Sequence, residues 1–128
     1  MVFMAFVIGT AGSGKSFLTS ALVEKMRQEK QKVATLNLDP GVINLPYSPD
    51  IDVRDYVTVD AVMEEYGLGP NGALVMAADM IASEVERLRE EIEELEPDIL
   101  IVDTPGQMEL FAFRVSGPYT AHSLTCLL

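Results

Sequence analysis

Positive charge is scarce in this sequence: nine Lys and Arg stand against 20 Asp and Glu, a formal net charge of −11. With no basic field to offer, the chain is a poor match for a nucleic-acid groove or an anionic membrane surface. An anionic ligand must instead be held locally, by backbone N–H groups and one or two cations. Cysteine is almost missing too. Cys126 stands alone, which excludes an internal disulfide framework and a Cys-cluster metal site within the chain. Its apolar neighbours point to a buried, inert thiol. The single histidine, His122, has no partner signalled nearby and reads as structural or surface-placed. No apolar run is long enough to cross a bilayer. The opening MVFMAFVIGTAGSGKS lacks a charged n-region, so neither a signal peptide nor a transmembrane segment is expected. The expected compartment is a reducing cytoplasm. Repeats and low-complexity tracts are also lacking.

What remains is the composition of a soluble globular protein: 128 residues, 48% hydrophobic and 23% charged. That length suits one domain, 1–128, with a real core. Val2 to Ile8 is a short, nearly unbroken apolar run ending at glycine, as expected of a strand buried on both faces. Lys15 to Lys30 follows with helical periodicity, Leu18, Leu22 and Met26 forming one stripe. Lys32 to Leu38 is β-prone and stops at Asp39-Pro40-Gly41. The first forty residues therefore read as a right-handed βαβ unit.

Residues 40–72 form a long insertion with Pro46, Pro49 and Pro70. A bare loop of that length is unusual, so short helices are expected, over Asp50 to Tyr56 and Thr58 to Tyr66. Gly67 to Gly72 is a turn cluster. A single long helix is predicted over about Ala73 to Leu95, with Ile81, Val85, Leu88, Ile92 and Leu95 on its apolar stripe and Pro97 ending it. Its acid-rich face is expected to be solvated, and the seven methionines to fill the core. Asp98 to Val102 is a strand, Met108 to Val115 a candidate helix, and Leu124 to Leu128 the beginning of a further strand. The alternation predicts an α/β fold with a mostly parallel, doubly wound sheet.

Gly9-Thr10-Ala11-Gly12-Ser13-Gly14-Lys15-Ser16 fits G-x-x-x-x-G-K-S in full, after a predicted strand and at the start of a predicted helix. Glycines at these positions allow successive N–H groups to turn inward around phosphate oxygens, and the helix N-terminus adds positive potential. Lys15 would reach the β- and γ-phosphates, and the Ser16 hydroxyl would ligate Mg²⁺. Phe17 stands where many P-loop proteins carry a second hydroxyl able to touch the α-phosphate; its presence is expected to weaken binding slightly. Ile99 to Val102 run into Asp103, a carboxylate placed to hold Mg²⁺, usually through water. The continuation Thr104-Pro105-Gly106-Gln107 makes Gly106 a candidate hinge whose N–H senses a γ-phosphate. Asp39, at the end of the second strand, faces the ligand crevice of an open α/β sheet. It could polarise a water or assist Mg²⁺, or simply start the turn at Pro40.

The series GTAGSGKS, NLDPG, IDVRDYV, GPNG and DTPGQMEL, in this order and spacing, resembles the GPN-loop GTPases, P-loop proteins of the dimeric SIMIBI-type class. The resemblance covers nearly the whole chain. It implies a three-layer αβα P-loop fold, here cut short at its C-terminus, and Mg²⁺-dependent GTP hydrolysis without a separate activating protein. It also implies a homodimer formed through the GPN-loop region. Asn71 of each subunit would act on the phosphates bound by the other, while Asp39 and Gln107 lie near the attacking water. Pro70 would fix one torsion, and Gly69 and Gly72 would permit unusual ones, presenting Asn71 at a rigid tip. Family members carry a further half-domain with an Asn/Thr-Lys-x-Asp element that reads guanine. This sequence has none, so a guanine preference follows from the resemblance alone and the chain is expected to be an N-terminal piece. Eukaryotic relatives are associated with RNA polymerase assembly, but no client-binding segment can be identified here. An ATPase of the related dimeric group, and a non-hydrolysing nucleotide-gated module or fragment, stay open as alternatives.

Overall fold

The computed structural model describes residues 3–7 and 14–104. The elements are β1 (Phe3–Val7), α1 (Lys15–Gln28), β2 (Val33–Asn37), β3 (Ile51–Asp52), a 3-10 turn (Val53–Asp55), α2 (Val59–Tyr66), α3 (Pro70–Ser83), α4 (Val85–Leu95) and β4 (Ile99–Asp103). The four strands form one sheet in the order β1-β4-β2-β3, and every pair is parallel. The register places Val7, Asp103, Asn37 and Asp52 in one row at the C-terminal edge. The predicted elements over Met108 to Val115 and Leu124 to Leu128, with His122 and Cys126, lie outside the described residues.

Helices cover both faces, giving the three layers expected. On one side Val23 of α1 packs with Val7, Val33 and Ile101. On the other, Leu36, Leu100 and Val102 meet Ala73, Ala77 and Ile81 of α3 and Val85, Leu88 and Ile92 of α4. β2 and β4 are almost wholly buried and mostly apolar, as central parallel strands should be. β1 departs from the expectation of burial on both faces. Among the described residues it pairs only with β4, and Phe3 is 66% exposed.

The phase of α1 also differs from the predicted stripe. Leu18 is 54% exposed, whereas Thr19 and Val23 are buried and Met26 is partly so. The phase is set by Ser16, whose side chain is engaged at the end of β4. Positions three, seven and ten residues further on then face the sheet, and the polar Thr19 takes the place that hydropathy would give to Leu18.

The 40–72 stretch holds one true helix, α2, started by Thr58, whose hydroxyl accepts the Ala61 N–H at 3.2 Å. Asp50 to Tyr56 is not an α-helix but a two-residue strand, Ile51–Asp52, followed by a short 3-10 helix, Val53–Asp55; Ile51, Val53 and Val57 are buried. The Gly67 to Gly72 cluster divides as well. Gly67 closes α2 in the left-handed region (φ 66°), where glycine is favoured. Gly69 has ordinary extended torsions as the cap of α3, and Pro70, Asn71 and Gly72 form the first turn of that helix. Proline in a first turn needs no N–H and has the right φ. Asn71 thus sits in a helical first turn, and neither Gly69 nor Gly72 has the unusual torsions expected.

The long helix predicted over 73–95 is two helices. Ser83 Oγ donates to the Met80 carbonyl at 2.6 Å, the acceptor that the Glu84 N–H would otherwise use, and that N–H goes to Ile81 O instead. The chain breaks there (Glu84 φ −101°, ψ 9°). The buried series Ala73, Ala77, Ile81, Val85, Leu88, Ile92 nevertheless runs unbroken across the joint. No helix among the described residues is long and apolar enough to cross a membrane.

Candidate functional site

The C-terminal edge of the sheet gathers polar side chains where the strands carry apolar ones elsewhere. Asp103 and Asn37 end β4 and β2 with almost no exposure (1% and 0%). Such groups are stable inside only when hydrogen-bonded, and the partners define the site. Gly14, in the left-handed region at φ 82°, turns the chain into α1. One turn in, Ser16 Oγ donates to Asp103 Oδ2 at 2.9 Å, closing a contact across 87 residues. Thr104, just past β4, donates from Oγ1 to the Val7 carbonyl at 2.8 Å, tying the end of β4 to the end of β1.

A second donor reaches the same carboxylate oxygen. Tyr47, in the connection between β2 and β3, donates its hydroxyl to Asp103 Oδ2 at 3.0 Å. Burial first, then the Asp103 charge and this hydrogen bond, push the Tyr47 hydroxyl well above the usual phenol range, so it is a proton donor at any working pH.

Beside this pair lies a clasp built on NLDPG and IDVRDYV. Asn37 Nδ2 donates to Asp52 Oδ1 at 3.0 Å and to the Asp39 carbonyl at 3.1 Å, and Asn37 Oδ1 accepts the Asp39 N–H. Arg54 grips Asp52 with Nε and Nη2, down to 2.6 Å, and donates from Nη1 to the carbonyls of Val42 and Ile43. Burial pushes the Asp52 carboxyl up, but the hydrogen bonds from Arg54 and Asn37 outweigh it and hold the group below the usual carboxylate range. A carboxyl with a depressed folded value lends stability above its unfolded pKa of about 4 and loses it as pH falls towards the folded value. Urea titrations between pH 3 and 7 should therefore show Arg54→Ala costing about 1.5–3 kcal/mol at neutral pH, with the difference from wild type narrowing in acid. Parallel curves at all pH values would show that the clasp adds nothing.

The structure brings Ser16 and Asp103 together as the sequence predicts. Asp39 is also at this edge, immediately after β2, but its Oδ1 accepts the Gly41 N–H at 2.9 Å, the turn-starting role. Asn71 is exposed at the second position of α3, and among the described residues no hydrogen bond ties it to Ser16 or Asp103. Phe17 is 72% exposed. Gly9, Thr10, Ala11, Gly12, Ser13, Gly106 and Gln107 lie outside the described residues, as does the side chain of Lys15. Tyr47, Asn37 and Thr104 went unassigned in the sequence. Asp52 and Arg54 stood inside a quoted motif without a role.

A hydroxyl and a carboxylate whose oxygens lie 2.9 Å apart at a helix start offer hard oxygen donors. Among the described residues no group of three or more His, Cys, Asp or Glu could hold a metal. Two protein oxygens with the rest from water and phosphate is the pattern that suits Mg²⁺ and does not suit a softer, fully caged ion. The residues present fit a Mg²⁺–nucleotide site.

Known proteins resemble this chain over most of its length. A family model described as "Conserved hypothetical ATP binding protein" matches residues 7–126. A GPN-loop GTPase of Pyrococcus abyssi is 46% identical over 112 residues, covering 86% of this chain and 44% of that protein. GPN-loop GTPase 3 of Schizosaccharomyces pombe is 41% identical over 107 residues, 84% of this chain and 39% of that protein. The crystal structure of a P. abyssi GTPase in apo form superposes with a TM-score of 0.85 at 43% identity, over 95% of this chain and 49% of that one. The chain thus spans less than half the length of these relatives. A phosphate-loop motif, a Ser16–Asp103 pair at the sheet edge and a match over nearly the whole chain place the protein in the GPN-loop GTPase family.

Proposed function

We infer that this chain supplies the phosphate- and metal-binding half of an Mg²⁺-dependent GTPase. The observation that carries the reading is the Ser16–Asp103 hydrogen bond at the start of α1 and the end of β4. The N–H groups of Gly9 to Ser16 and the α1 terminus hold the phosphates, and Lys15 supplies the local cation that an acidic chain otherwise lacks. Ser16 and Asp103 would hold Mg²⁺, which would supply charge neutralisation to the phosphates. Asp39 and Gln107 would act on the attacking water, and Gly106 would mark the triphosphate state through its N–H. Asn71 acts on the partner's phosphates in a homodimer, its amide donating without any change of protonation. A cytoplasmic location fits the reading, and the protein client stays unassigned.

The base is the open choice. The family description speaks of ATP and the relatives' names of GTPases; the ATPase reading has the first in its favour, while identities of 41–46% to GTPases favour guanine. Phosphate release by the full-length protein with GTP and ATP in parallel tests both. The expected result is a kcat/KM for GTP at least tenfold above that for ATP, about 1.4 kcal/mol of discrimination. An inverted preference supports the ATPase. No release above background with either nucleotide overturns the enzyme.

A further inference from the structure

We propose that Tyr47 is a positioning residue for the metal-binding carboxylate, delivered to Asp103 from the connection between β2 and β3. The assignment rests on the Mg²⁺–nucleotide reading of the Ser16–Asp103 pair. Three observations carry it. Tyr47 and Ser16 donate to the same oxygen, Asp103 Oδ2, at 3.0 and 2.9 Å. They come from different elements, so two directions of donation converge on one atom and fix the rotation of the carboxylate. Ser16 alone would fix one direction only.

The second observation is that the segment carrying Tyr47 is pinned on both sides. Towards its C-terminal end, Asp50 Oδ2 accepts the Thr35 N–H at 2.8 Å and the Thr35 hydroxyl at 3.2 Å, the Asp50 N–H returns to Thr35 Oγ1 at 3.0 Å, and Arg27 of α1 stands 3.8 Å from the same carboxylate. On the other side Arg54 holds the carbonyls of Val42 and Ile43. A tyrosine on a free loop would share its hydroxyl with water. This one is anchored to β2 itself, within the strand that runs beside β4.

The third observation is chemical. Asp103 ends a strand inside the protein at 1% exposure, where few waters could orient it. Hydrogen bonds to a metal-binding carboxylate hold it in the orientation the ion needs, and losing such a partner typically costs 10–100-fold in metal affinity.

The test measures metal binding, not turnover. Mn²⁺ binding to the full-length protein with GDP is followed by the electron paramagnetic resonance of free Mn²⁺, and GDP binding in EDTA by a fluorescent GDP analogue. Tyr47→Phe keeps the ring and removes the donor. The expected result is an Mn²⁺ Kd raised about tenfold, with metal-free GDP affinity within twofold of wild type. Asp50→Ala, which loosens the segment without touching Tyr47, should move the Mn²⁺ Kd the same way by less, and it serves if Tyr47→Phe fails to fold. An unchanged Mn²⁺ Kd in Tyr47→Phe, or in Asp50→Ala where that variant stands in, overturns the assignment. A tighter one overturns it by showing that Tyr47 competes with the ion, and equal losses with and without metal would reduce its role to packing. Wild-type protein that binds no Mn²⁺ with GDP would instead overturn the functional reading beneath it.

Discussion

Asp103→Asn in the full-length protein is expected to leave the fold intact and to lower the proposed GTP hydrolysis by about 10²–10³-fold, the scale of one lost electrostatic contact to a transition state. The asparagine is nearly isosteric, and its carbonyl oxygen can still accept the Ser16 and Tyr47 hydroxyls that now meet Oδ2. What is lost is the negative charge at the row of strand ends, and with it the attraction for a divalent ion. Removing charge from a residue with 1% exposure also lifts a desolvation cost. Stability should therefore hold or rise while activity falls, the opposing movement expected where a site is kept for function at the expense of stability. Steady-state phosphate release across a Mg²⁺ titration, with a thermal midpoint on the same samples, measures both. The fall should appear in kcat and in the Mg²⁺ concentration needed for half activity. A variant within threefold of wild-type kcat/KM would remove Asp103 from the metal site.

What the sequence disclosed and what it hid separate along a physical line. β2, β4 and the phosphate loop's entry into α1 were legible because each is local: an apolar run of strand length, a stop signal, and a motif ending in Gly14, whose φ of 82° favours glycine. A start of α2 near Thr58 or Asp60, and Pro97 as the stop after α4, were legible for the same reason; the cap proves to be Thr58. The break between α3 and α4 was hidden because the apolar stripe continues across it, and periodicity reads side chains, not the Ser83 hydroxyl taking a carbonyl from the backbone. The phase of α1 was misread because Leu18 outweighs Thr19 in hydropathy, although Ser16 at Asp103 decides which face turns inward. Tyr47 was the hardest to see. Its partner is 56 residues away, it sits in a proline-interrupted stretch with no period, and nothing in the sequence alone marks Thr35 and Asp50 as the anchors of its loop.

The other large effect concerns Asn71. Asn71→Ala should leave nucleotide binding nearly intact and cut hydrolysis by about 10²–10³-fold, as for one transition-state donor. Its place explains why binding is spared: Asn71 is exposed on the first turn of α3 and has no hydrogen bond to Ser16 or Asp103 in its own chain, among the described residues. Pro70 at the start of the helix and Gly67 at the end of α2 fix where that turn points, so the amide is held outward at low entropic cost and is available to a second subunit. A contact made in trans has a signature that no contact in cis can produce. A Lys15→Ala subunit has a damaged phosphate loop and an intact Asn71; an Asn71→Ala subunit has the reverse. In a mixed dimer of full-length chains one site combines a sound loop with a sound amide, and the other has neither. Two nearly inactive parents should then recover up to half the wild-type turnover per heterodimer, provided one site can fire alone. The pairing of differently tagged subunits, confirmed by sequential affinity capture, makes the count of heterodimers independent of the activity. If Asn71 served its own site, each subunit of the mixed dimer would carry one lesion and nothing would be recovered. Single-turnover release from such heterodimers, preloaded with GTP, separates that outcome from coupling of the two sites in product release: a burst from one site per dimer supports the trans role, and no burst counts against it.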